Sequence, residues 1–87
     1  MDIKEQIRQF VQENAQSKGV TNLTDDASLM GSGVLDSLGI FRLVSFLEEN
    51  FSVRVADEEI IHDNFQSVNQ IESFVNNKLR KKEAARA

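Results

Sequence analysis

Cysteine, proline, tryptophan and tyrosine are all absent from this 87-residue chain, histidine occurs once and glycine only four times. Without cysteine there are no disulfides and no thiol chemistry from the polypeptide, so the redox compartment is unconstrained. With a single histidine there is also no nitrogen and sulfur set for zinc, and no metal site is expected. The lack of proline and the scarcity of glycine remove the usual interruptions of a helix and suit a helical bundle. No apolar run approaches the length that spans a bilayer, and Met1-Asp2-Ile3-Lys4-Glu5 enters a charged amphipathic pattern directly, without an apolar signal core. A soluble, cytoplasmic protein with no stable membrane association is expected.

What is present fits one small domain. Apolar residues make up 40% of the chain and include six phenylalanines, enough for a modest core but not for two. The net charge is −4, unevenly placed: Lys78, Arg80, Lys81, Lys82 and Arg86 against Glu83 give the last ten residues +4 and leave −8 on residues 1–77. An acidic body of this kind repels phosphate backbones, so nucleic acid is not an expected partner.

Hydrophobic periodicity predicts the elements. Asp2 followed by Glu5 resembles a capping box, and Ile3, Ile7, Phe10 and Val11 recur at helical spacing until Ser17-Lys18-Gly19, predicting a helix over 3–17. Residues 20–35 carry Thr, Asn, Asp, Ser and glycines around the isolated anchors Leu23, Leu29, Met30 and Val34, a long loop of the kind that is functional or hides a helical turn. A second helix is predicted from Ser37 to about Asn50, with Asp36 as its N-cap and Ile40, Leu43, Val44 and Leu47 facing the core. Leu38, Arg42, Ser45 and Glu49 then fall on the opposite side, with Phe41 at the margin. Phe51-Ser52-Val53-Arg54-Val55 reads as an extended connection with its apolar residues inward, and Asp57 as the cap of a short helix through Glu58, Glu59, Ile60 and Ile61. Ser67 and Gln70 start a last helix carrying Val68, Ile71, Phe74, Val75 and Leu79, whose basic continuation complements the helix dipole. The division expected is a domain over 1–79 and a charged tail over 80–87.

Ser37 is the strongest functional lead. It stands at the first position of a predicted helix, where unpaired amides and the positive end of the macrodipole favour an anionic group attached through the serine oxygen. A capping role for Asp36 and Ser37 alone explains the local sequence equally well. A hydrolytic triad of Ser37, His62 and a carboxylate is excluded, because Leu35 occupies the place of the glycine in a Gly-Asp-Ser-Leu signature and no strand-to-helix elbow can be built in this length. Asp25-Asp26 and Glu58-Glu59 lack the oxygen spacing of a calcium loop, and Gly31-Ser32-Gly33 lacks the Gly-Lys-Ser/Thr that completes a phosphate loop. No catalytic residue is assigned.

Over nearly its whole length the chain resembles the acyl carrier protein family. The matching features are the amphipathic first helix, the long loop, Gly33-Val34-Leu35-Asp36-Ser37-Leu38-Gly39, the run from Leu43 to Phe51, Asp57-Glu58-Glu59, and Asn64-Phe65. The resemblance implies an all-α, four-helix bundle with a short third helix, and a non-catalytic, monomeric carrier. It implies 4'-phosphopantetheine, installed from coenzyme A on Ser37 by a magnesium-dependent phosphopantetheinyl transferase that also reads Asp36. The terminal thiol would hold acyl intermediates as thioesters for acyl-transferring, condensing or adenylating enzymes of a fatty-acid-like, polyketide or other specialised pathway. By the same analogy Leu29, Leu35, Leu43, Phe46, Leu47 and Ile60 would line an acyl pocket, with Phe46 reducing its room. Leu38, Phe41, Arg42, Ser45, Glu48, Glu49 and Ile61 would meet partners.

The sequence departs from the fatty-acid-synthesis pattern at Gly39 and Arg42, where acidic residues are usual, so recognition is expected to rest more on Leu38 and Phe41 than on charge. An aminoacyl carrier of the D-alanyl or peptidyl type and a helical interaction module without a prosthetic group are the alternatives. Aspartate before the serine, where peptidyl carriers commonly place histidine, leaves the discrete D-alanyl type open.

Overall fold

The computed structural model describes residues 2–20 and 23–86, with side chains described as far as Lys81. Among the described residues four α-helices follow one another, α1 (Ile3–Ser17), α2 (Ser37–Phe51), α3 (His62–Phe65) and α4 (Val68–Arg86), with a 3-10 turn at Asp57–Glu59. There is no strand among the described residues. The all-α bundle expected from the sequence is the architecture observed.

Helix α1 begins where expected, with Asp2 Oδ1 accepting the Glu5 N–H at 2.7 Å. Its buried residues Ile7, Val11 and Ala15 are spaced four apart and make one stripe. Gly19, at φ +73°, ends the helix: its N–H reaches the Gln16 carbonyl at 3.1 Å and the Val20 N–H reaches that of Ala15 at 2.8 Å. A left-handed residue there satisfies carbonyls that the helix leaves unpaired.

Among its described residues the long loop contains turns rather than a helix, and it is pinned on both sides. The Arg8 guanidinium grips Asp25 with two hydrogen bonds of 2.9 and 2.8 Å, fixing the loop to α1. The Asn69 N–H donates to the Asp25 carbonyl and the Leu29 N–H to that of Gln66, fixing it to the α3–α4 junction. Leu29 and Val34 are then fully buried, and Leu23 and Met30 are half-buried against the same core.

Helix α4 packs on α1 and α3. It buries Val68, Ile71, Phe74 and Val75 at helical spacing, and the Phe74 ring meets fully buried Phe65 edge-on at 5.5 Å. Ser67 Oγ accepts the Gln70 N–H at 3.2 Å, the expected cap. The helical backbone runs on through Arg80 to Arg86, while the side chains of Lys82, Glu83 and Arg86, and Ala87 altogether, lie outside the described residues.

The short helix near residue 60 is placed differently from expectation. Asp57 opens a 3-10 turn instead of capping a helix, and α3 starts only at His62. Two forces explain the shift. The Glu59 carboxylate reaches back to the Ala56 N–H at 2.9 Å and pairs with Lys78, which closes the turn, and the β-branched pair Ile60 and Ile61 favours extended backbone over another helical turn. Ile61 accordingly sits at φ −122°, ψ 157°.

Candidate functional site

Helix α2 positions the site. Asp36 is extended, and its Oδ1 accepts the Gly39 N–H at 2.7 Å, so the helix starts with Ser37 as its first residue. The serine is exposed. Gly39 is buried behind it: a Cβ there would lie 3.2 Å from Asp36 Oδ1 and 3.3 Å from Leu35 Cδ2, so a larger residue would press on the cap and on the core leucine. The sequence showed Gly39 only as a missing acidic residue, whereas the structure gives it a packing role.

A second contact at the cap has no signal in the sequence. Lys18, the residue that follows α1, places Nζ 3.1 Å from Asp36 Oδ2. Asp36 thus uses one oxygen on the backbone of α2 and the other on the end of α1. The Gly39 N–H first, and then the Lys18 ammonium, hold its carboxyl below the usual carboxylate range.

Of the residues expected to meet partners, Leu38 is 59% exposed, Phe41 63% and Ile61 50%, large apolar side chains facing water. Phe41 lies well out on the exposed face and not at its margin. Arg42, Ser45 and Glu49 are exposed as well. Glu48 turns inward, its Oε2 accepting the Val55 N–H at 3.0 Å beside an open groove of about 610 Å³ lined by Val53–Ala56, Glu59 and Lys78. That groove lies about 16 Å along the helix from Ser37, eleven residues at the α-helical rise.

The six residues expected around a pocket divide into two groups. Leu29, Leu35, Leu43 and Leu47 belong to one closely packed core, against which Ile60 is half-buried. Phe46 stands apart on the α1 side, edge-on to Phe10 at 4.8 Å and stacked on Phe51 at 6.1 Å. Its ring joins α1 to α2.

The arrangement offers an exposed serine hydroxyl at the start of a capped helix, close in sequence to the exposed apolar residues Leu38 and Phe41. No group of side chains suited to a metal ion is found among the described residues. Such a site can bear a group and present it, and that is the class of protein found by comparison. Residues 5–75 match the family model described as the phosphopantetheine attachment site.

The chain belongs to this family: it is a carrier protein with covalently attached 4'-phosphopantetheine, and not a catalyst. It is 34% identical over 71 residues to the D-alanyl carrier protein of Streptococcus sanguinis, covering 82% of this chain and 87% of that one. It is 35% identical over 75 residues to the D-alanyl carrier protein of Streptococcus suis, covering 86% and 92%. Among solved structures it is similar to a chain in the crystal structure of Bradyrhizobium japonicum glycine:carrier protein ligase complexed with glycylated carrier protein. There the TM-score is 0.69 and the identity 27%, over 83% of this chain and 97% of that one.

Proposed function

We propose that this carrier bears its phosphopantetheine on Ser37 and carries a single small amino acid, loaded by an ATP-dependent adenylating ligase. The observation that carries the proposal is the agreement of two likenesses on one class of cargo: D-alanyl carriers by sequence and a glycylated carrier complex by structure. The fatty-acid or polyketide cargo suggested by the family resemblance gives way to the aminoacyl alternative.

The assignment of Ser37 rests on its exposure and on the rigid turn that Asp36 caps. Its hydroxyl oxygen would form an ester bond to the phosphorus of coenzyme A that bears the pantetheine, releasing 3',5'-adenosine bisphosphate and giving its proton to a base on the transferase. The attached group supplies a flexible terminal thiol that holds the amino acid as a thioester. Leu38 and Phe41 give a transferase or ligase apolar anchors next to the arm, and Arg42 adds a positive charge on an otherwise acidic body.

A small aminoacyl group also suits a core that is closed to it. Its ammonium is strongly hydrated, and entry among Leu29, Leu43 and Leu47, none of which leaves any surface exposed, would cost several kcal/mol without a counter-charge. The cargo therefore stays outside, where a ligase can reach it.

The test combines wild type and Ser37→Ala with coenzyme A, magnesium and a broad-specificity phosphopantetheinyl transferase. Intact mass is expected to rise by one phosphopantetheine on wild type only, while both proteins keep the same helical circular dichroism. The loaded protein is then offered ATP with D-alanine or glycine and the matching ligase, or a medium-chain fatty acid and an acyl-transferring ligase. Aminoacylation at least tenfold faster than acylation is expected; the reverse order would overturn the proposed cargo.

A further inference from the structure

Lys18 makes a contact that capping alone does not require. Asp36 already completes the start of α2 through Gly39, yet its second oxygen is held by a lysine eighteen residues earlier, at the end of another helix. On the reading that Ser37 bears the arm, attachment adds a permanent negative charge on the residue next to the Asp36 carboxylate. Two anions on adjacent residues of one turn repel, and the surrounding body is itself acidic.

An ammonium has three donors, and the hydrogen bond to Asp36 uses one. Lys18 also has a flexible four-carbon stem, so a small rotation keeps its charge close to both residues. Arg42 is less well placed for this, since five residues along α2 turn it about 140° around the axis from Ser37.

We propose that Lys18 is a positioning residue for the prosthetic arm. Its ammonium bridges the Asp36 carboxylate and a phosphodiester oxygen on Ser37, offsets their repulsion, and ties the root of the arm to the end of α1.

Apo and phosphopantetheinylated forms of wild type, Lys18→Met and Lys18→Arg are compared at low and moderate salt, with modification verified by intact mass. In wild type the lysine side-chain nitrogen signal of Lys18 is expected to shift on modification more than those of Lys4, Lys78 and Lys81, with Tm unchanged to within about 1 °C. In Lys18→Met, modification should lower Tm at low salt by about 1–8 °C, the range set by an exposed charge interaction in a domain of this size. Moderate salt should abolish that loss, and Lys18→Arg should behave as wild type. An unshifted Lys18 signal, with equal Tm changes in all three proteins, would overturn the role of Lys18 while leaving Ser37 as the attachment point. Absence of any mass increase on wild type would overturn the attachment itself and this bridge with it.

Discussion

The two ends of α2 are built on opposite plans. At its N-terminal end, Ser37, Leu38 and Phe41 face water, and the backbone is held by one capping carboxylate that Lys18 steadies. At its C-terminal end, Leu43, Val44 and Leu47 are buried, Phe46 and Phe51 stack, and Glu48 reaches across to the Val55 N–H. Ser52 then takes left-handed backbone at φ 54° and stops the helix. One helix thus combines two environments: its far end is built into the core, and its near end leaves large apolar side chains in water.

The strongest way to break this division is to shorten a leucine at each end. Leu47→Ala should cost about 2–5 kcal/mol, the usual range for emptying a fully buried leucine site, and the cost should appear as a lower urea midpoint. Leu38→Ala should change stability by less than about 0.5 kcal/mol, because its side chain is already largely in water. The same pair should invert when loading by partner enzymes is measured: Leu38→Ala raises the apparent KM, whereas folded Leu47→Ala does not. Equal stability losses at the two positions would mean that the near end is part of the core after all.

A smaller effect comes from the charges that close the far end. Hydrogen bonding to Lys78, and then to the Ala56 N–H, lowers the pKa of Glu59. A carboxyl with a depressed folded-state pKa contributes stability that is fully present above its unfolded value and is lost as pH falls through the folded one. Glu59→Gln retains an acceptor for Ala56 but removes the charge beside Lys78. At neutral pH the variant should be less stable by about 1 kcal/mol or less, given that the pair is partly exposed. The gap should begin to shrink as pH falls past the ordinary glutamate value of about 4.3 and close only below the lowered folded-state pKa. Urea unfolding of both proteins across that range measures it, and a gap that persists undiminished in acid would assign the loss to packing instead of charge.

How much of this was legible in the sequence depends on the range of the interaction concerned. Local rules were enough for the caps at Asp2, Asp36 and Ser67, for the buried stripe Leu43, Val44 and Leu47, and for the exposure of Leu38 and Ser37, because each is settled within one or two helical turns. The short third helix was misplaced because Glu59 is drawn to Lys78, nineteen residues away, and no local pattern reports that pull. Lys18 with Asp36 and Arg8 with Asp25 were invisible for the same reason: ion pairs between distant residues depend on the path of the loop that joins them. Phe46 was assigned to a pocket wall by analogy, but its place is set by Phe10 on α1, a partner that periodicity on α2 alone cannot identify.

The finest distinction lies at the near end, between the cap and its lysine. Asp36→Ala removes both the acceptor for Gly39 and the partner of Lys18, whereas Asp36→Asn keeps a good capping side chain and loses only the charge. If the cap alone fixes the start of α2, the Gly39 amide should exchange with solvent roughly fivefold faster in Asp36→Ala and within about twofold of wild type in Asp36→Asn. Because the exposed ion pair is screened by salt, any residual difference between Asp36→Asn and wild type should fade at moderate ionic strength. Hydrogen exchange followed residue by residue makes the measurement, with the Leu47 amide as internal reference for the far end. Equal acceleration at both amides would show that the two ends open together, and the helix would then be one cooperative unit instead of a fixed base with a presenting tip.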